Sequence, residues 1–167
     1  MFRILFAAAL AALPTLAAAQ PTPPKPACTT PEHRQFDFWV GKWAVSQTGK
    51  DAVVAESLIE SVYNGCGVRE NWMPKNNQTG GSLNIWLPGE KAWKQTWIDS
   101  SGTRADFTGG WTGKAMVLTG KWGGPLVRTT YTPNADGSVR QAGEQSTDGG
   151  KTWTPSFDFT YRRAERR

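Results

Sequence analysis

From residue 41 onward the chain reads as short stretches of alternating apolar and polar residues separated by turn signals. The clearest stretch is 91 to 99, where Trp93, Gln95, Trp97 and Asp99 share one side and Lys94, Thr96 and Ile98 the other. A repeat of two is that of an extended strand, and lysine belongs in water, so the Trp/Gln side points inward. The same rule turns Val68, Glu70 and Trp72 inward, and with them Ser82, Asn84 and Trp86.

Ten candidate strands follow: 42 to 49, 52 to 63, 67 to 74, 81 to 88, 91 to 99, 103 to 110, 114 to 122, 125 to 132, 138 to 146 and 152 to 163. Between them lie Gly49-Lys50-Asp51, Asn64-Gly65, Pro88-Gly89, Thr112-Gly113, Gly123-Gly124 and similar pairs, residue types that supply the special φ values of tight turns. Even spacing predicts an all-β, antiparallel up-and-down β-barrel of eight to ten strands, because closure removes the edges that such a sheet would expose. The stretch 52 to 60 also scores as a helix; its β-branched residues and flanking turns favour a strand.

Ahead of the first strand, Phe36-Asp37-Phe38-Trp39-Val40-Gly41-Lys42-Trp43 places four aromatic rings around a glycine. Such a cluster needs a large buried surface. Pro31 can open a helix, Thr30 can cap it, and Glu32 and Asp37 put negative charge in its early turns, which predicts a short helix to about Phe38 closing one end of the barrel.

The first 19 residues have a different character. A positive Met1-Phe2-Arg3, an apolar run from Ile4 to Leu16 and small residues at Ala17 and Ala19 read as a signal peptide cleaved near Ala19, too short for a membrane span. Residues 20 to 31 then form a Pro-rich lead, 32 to 163 the barrel and 164 to 167 a basic tail. A periplasmic or extracellular location follows, and there Cys28 and Cys66 are expected to form a disulfide rather than remain two reduced thiols. Without Arg3 the balance is 18 basic against 14 acidic residues. Most of that excess lies in the C-terminal arginines, so no basic face for nucleic acid is expected.

An interior that mixes tryptophan with Glu, Gln and Asn is unusual for a packing core, since every buried polar group needs a partner or water. A wet, ligand-sized cavity satisfies them; so does a network in which they pair with one another. On the first reading the lining is Trp72, Trp86, Trp93 and Trp97 with Glu70, Asn84, Gln95 and Arg128, holding a small amphipathic or aromatic ligand by stacking and a few polar contacts. The alternatives are a carboxylate acid/base enzyme using Glu70 and Asp99 on a small polar substrate, and a non-catalytic structural or interaction protein. No cofactor or metal is expected: His33 is the single histidine, and it reads as a helix-surface or N-terminal contact. No Gly-x-Ser-x-Gly elbow is present.

Gly41-Lys42-Trp43 resembles the Gly-x-Trp signature of lipocalin-like (calycin) barrels, in which the tryptophan plugs the closed end. The resemblance implies an arginine of the last strand packed across that indole, and Arg162 is the position that matches it. More broadly, 33 to 43, Gly65-Cys66 to Trp72, Gln95 to Asp99 and Asp136 to Gln141 resemble a family of secreted bacterial proteins of unknown function, which implies no particular chemistry. Ser146 to Trp153 is similar to the Asp-box of sialidase-like propellers, a structural hairpin in which Asp148 bonds turn amides and Trp153 packs beneath. A single copy in a chain this short does not make a propeller.

Overall fold

The computed structural model describes residues 28–164. The expected signal peptide and most of the Pro-rich lead lie outside the described residues, as does the basic tail beyond Ala164. Ten strands are present: β1 (Gly41–Gln47), β2 (Val53–Val62), β3 (Gly67–Pro74), β4 (Gly80–Leu87), β5 (Ala92–Asp99), β6 (Arg104–Trp111), β7 (Met116–Lys121), β8 (Leu126–Pro133), β9 (Val139–Ser146) and β10 (Thr154–Arg163). Each pairs antiparallel with its sequence neighbour, and β1 pairs with β10 to close the barrel. The stretch that also scored as a helix is strand β2.

Closure depends on one register, Trp43 opposite Arg163 through Gln47 opposite Phe159. The β10–β9 ladder slips between Pro155 and Phe157, a bulge at the strand end where a residue without an N–H costs no ladder bond. Charged side chains cover the outer wall as the ion pairs Arg69–Glu60, Arg104–Asp106 and Arg140–Asp158.

The short helical segment before β1 spans residues 31–39 and is built of two 3-10 turns, Pro31–Arg34 and Asp37–Trp39, with a non-helical Phe36 between them. The cap expected from Thr30 is absent because its Oγ1 lies 2.9 Å from His33 Nδ1. That bond goes with burial: His33 is 4 % exposed rather than on a helix surface. Phe36 and Trp39 are fully buried and stack at 5.0 Å, and Tyr131 and Trp93 edge onto Phe36 at 5.1 and 5.7 Å. A ring such as Phe36 stabilises the fold by about 1.5–3 kcal/mol when removed from water. This segment is the plug of the barrel.

Two fasteners hold the plug. A disulfide joins Cys28 to Cys66, and Arg34 donates to the Gly65 carbonyl in the β2–β3 connection. A third contact closes the seam: the Arg163 guanidinium lies 3.9 Å from the centre of the Trp43 ring and donates to Val40 O at 2.7 Å. This corrects the assignment of Arg162. Tyr161 is fully buried, so alternation sends Arg162 outward and returns Arg163 to the inner side. Gly41 permits the contact, since its φ is +149° and a Cβ there would fall 1.9 Å from Arg163 Nη1.

Candidate functional site

Above the plug, the inward positions form a belt of polar side chains in which almost every hydrogen bond is accounted for. Glu70 Oε2 accepts from Ser82 Oγ (3.2 Å), which accepts from Asn84 Nδ2 (3.1 Å). Asn84 Oδ1 accepts from Gln95 Nε2 (2.8 Å), which also reaches across the barrel to the Tyr131 hydroxyl oxygen (3.1 Å). Gln141 Nε2 donates to the same oxygen at 3.2 Å, and Gln141 Oε1 accepts from the Tyr161 hydroxyl at 2.5 Å. Tyr161 lies 3.4 Å from Glu70 Oε1, which closes a ring of seven side chains carried by six strands. Ser57 adds a further donor to Glu70 Oε1 at 3.1 Å.

Glu70 sits in this ring with three hydroxyl partners and, among the described residues, no cationic one. Burial therefore dominates and pushes its carboxyl up to about 7, against the pull of Ser57, Ser82 and Tyr161. Burial likewise raises both Tyr131 and Tyr161, with the Glu70 charge adding to it. All three groups are thus held toward their neutral forms.

The polar belt is the floor of a cavity of about 690 Å³ that opens at the end opposite the plug. Its walls are aromatic: Trp72, Trp97, Phe107, Trp122, Phe157 and Phe159, with Trp97 and Trp122 6.0 Å apart and Trp72 5.6 Å from Phe159. Gln47, Lys75, Asn76, Gln78 and Asp99 form the rim. Space on this scale is that of small-molecule sites. Three floor groups keep unused capacity. Tyr131 accepts two bonds but donates to no described residue, and neither Gln95 Oε1 nor Thr129 Oγ1 has a protein partner among the described residues.

The residues expected to contact a ligand separate into four groups. Glu70, Trp72, Gln95 and Trp97 face the cavity. Asn84 is fully buried within the floor, bonded to Val68 O and Ser82. Trp86 and Trp93 point inward but lie at the plug end, where Trp93 donates to Gln35 Oε1. Arg128 is on the outer wall, bound to Glu144 and lying 4.3 Å above the Trp153 ring, because Thr129 and Tyr131 take the inward positions of β8. Its assignment to the lining is corrected on that ground. Phe107, Trp122, Tyr131, Gln141, Phe159 and Tyr161 were not anticipated in the site. Strand parity applied to β8, β9 and β10 would have found all but Phe107 and Trp122.

Glu70 and Asp99 are not partners. Asp99 lies at the rim and spends its carboxylate on Ser101 N, Ser101 Oγ and Trp97 Nε1, and these bonds hold it below its ordinary range. Among the described residues no three His, Cys, Asp or Glu side chains gather as a metal site. No described helix is long and apolar enough to cross a membrane.

At the mouth, one carboxylate holds the turn of the β9–β10 hairpin. Asp148 accepts from the amides of Lys151 and Thr152 and from the hydroxyls of Ser146 and Thr152. Gly149 and Gly150 take φ of +76° and +92°, and Trp153 Nε1 donates back to Gly150 O. The exposed apolar side chains of β4 and β5 do not form a continuous face: Leu83 is flanked by Arg69 and Thr96, Ile85 by Lys94 and Ile98 by Arg104.

The chain matches no protein-family model and no curated protein.

Proposed function

We propose that this is a secreted barrel, periplasmic or extracellular, that binds a small amphipathic or aromatic molecule in its interior. The observation that supports it most is the division of the interior into a buried aromatic plug, a hydrogen-bonded polar floor and an open aromatic-walled cavity of about 690 Å³ above that floor. Sealed on one end, such a barrel admits a ligand from the other. The disulfide suits an oxidising compartment. A ligand body stacks between aromatic walls, and its polar end reaches the spare donor of Tyr131 and the spare acceptor of Gln95.

Binding is read from intrinsic fluorescence, since Trp72, Trp97 and Trp122 line the cavity. Titration with a panel of small amphipathic metabolites is expected to give saturable changes for a subset, weakened by Trp97→Ala. Failure of every compound to give a saturable change in fluorescence or calorimetry overturns the reading.

A further inference from the structure

We propose that the cavity takes a cationic ligand, a small organic amine whose ammonium group meets the Glu70 carboxylate while its apolar body lies among Trp72, Trp97 and Trp122. The inference rests on the reading of the cavity as a ligand site and adds the sign of the ligand's charge.

Four observations carry it. Glu70 is the only carboxyl group of the floor, and it faces the cavity rather than the plug. Ser57, Ser82 and Tyr161 surround it, and every ion pair among the described residues joins other groups. A glutamine would serve a purely structural ring without the desolvation cost of a charge, so a carboxyl there points to use of the charge. The walls are aromatic rings, a class of side chain whose faces attract cations through their negative quadrupole. Finally, among the described residues the one cationic group of the lining is Lys75, which follows β3 at the rim rather than on the floor. An anionic head group therefore has no counter-charge at the floor, whereas an ammonium does.

A pH signature follows. The titratable groups facing Glu70 are Tyr161 from β10 and Tyr131 from β8, both held neutral by burial; its neighbours Ser57, Ser82, Gln95 and Gln141 carry no charge. Lys75 and Asp99 stand at the rim, and His33 is outside the cavity lining. Burial pushes Glu70 up to about 7, so a bound ammonium must draw its proton off below that pH. Amine affinity is then expected to rise about tenfold between pH 6 and pH 8 as the ionised fraction grows.

The test compares 2-phenylethylamine, neutral 2-phenylethanol and anionic 3-phenylpropanoate by tryptophan fluorescence and calorimetry at pH 6 and pH 8. The amine is expected to bind at least about tenfold tighter than the alcohol at pH 8, and Glu70→Gln to erase that preference while still binding the alcohol. Calorimetry of the wild-type protein at pH 6.5, in two buffers of different ionisation enthalpy, is expected to show proton release on amine binding. It needs no variant and stands even if Glu70→Gln fails to fold. Equal or better binding of the alcohol or the acid, or no proton release, overturns the inference and leaves the cavity reading intact. Binding of none of the three overturns the inference, and the metabolite panel then decides the cavity reading.

Discussion

Arg163 lies over the Trp43 ring, its guanidinium 3.9 Å from the ring centre, and the two residues are direct partners in the β1–β10 ladder that closes the barrel. Cation–π contact and ladder register therefore support each other at one point. Arg163→Ala is expected to cost about 1 kcal/mol, the scale for such a pair near the surface, with more from the lost bond to Val40 O. Arg162→Ala is expected to be close to neutral. Urea unfolding of the two variants checks this, and equal losses would contradict the assignment of Arg163 to the indole.

Glu70 makes stability depend on pH in an uncommon direction. Its folded value of about 7 lies above its ordinary 4.5, so the folded state holds the proton more tightly than the unfolded state. That contribution is fully present below pH 4.5, is lost progressively as pH rises to about 7, and stays lost above. The loss amounts to about 3 kcal/mol at most. Thermal unfolding from pH 4.5 to 8 should show the decline, and Glu70→Gln should flatten it; an unchanged pH profile in that variant would remove Glu70 as its cause.

The Tyr131 oxygen is the acceptor for two amides at once. Tyr131→Phe leaves Gln95 Nε2 and Gln141 Nε2 each short of a partner, at an expected cost of about 1–3 kcal/mol. Gln95→Leu in the same background relieves one of those orphans, so the double variant should be more stable than the sum of the two single losses. Strict additivity in a double-mutant cycle would show that the ring is not coupled.

Reducing the disulfide frees the plug's leading end. The bridge closes a separation of 38 residues, which by chain entropy stabilises by about 4 kcal/mol. Cys28→Ser with Cys66→Ser should lower the unfolding midpoint accordingly, while hydrogen exchange should speed up first in the plug residues 31–40 and not in the strands lining the mouth. Uniform acceleration would argue that the plug and barrel unfold as one unit.

Strand order and most of the turns were legible because turn chemistry is local: glycine and asparagine mark the φ values that each reversal needs. The strand count stayed between eight and ten, and the closed ladder settles it at ten. Inward and outward faces were legible where a strand carries an unambiguous marker, as Lys94 does in β5. Two arginines were misplaced for want of such a marker. Arg128 and Arg162 follow apolar or aromatic residues whose own burial settles the phase, Val127 and Tyr161. Height along the barrel axis was not legible at all. Alternation gives a face, but only long-range register puts Trp93 opposite Gly109 in the plug layer and Trp97 opposite Ala105 in the cavity wall. The polar interior resolved into a largely paired ring beneath and a cavity above, because the plug fills only part of the barrel's length.

Both ends of the described chain leave from the same side. Cys28 is bridged beside β3, and Ala164 N bonds Lys42 O at the start of β1, so both flank the plug, while the five β-connections of the cavity end carry neither terminus. A linkage made at Cys28 or Ala164, the ends of the described chain, consequently leaves from the base rather than from the opening. Held through the plug side, the protein would turn its tryptophan-rich opening to solution, an arrangement suited to an optical sensor whose signal originates in the cavity itself.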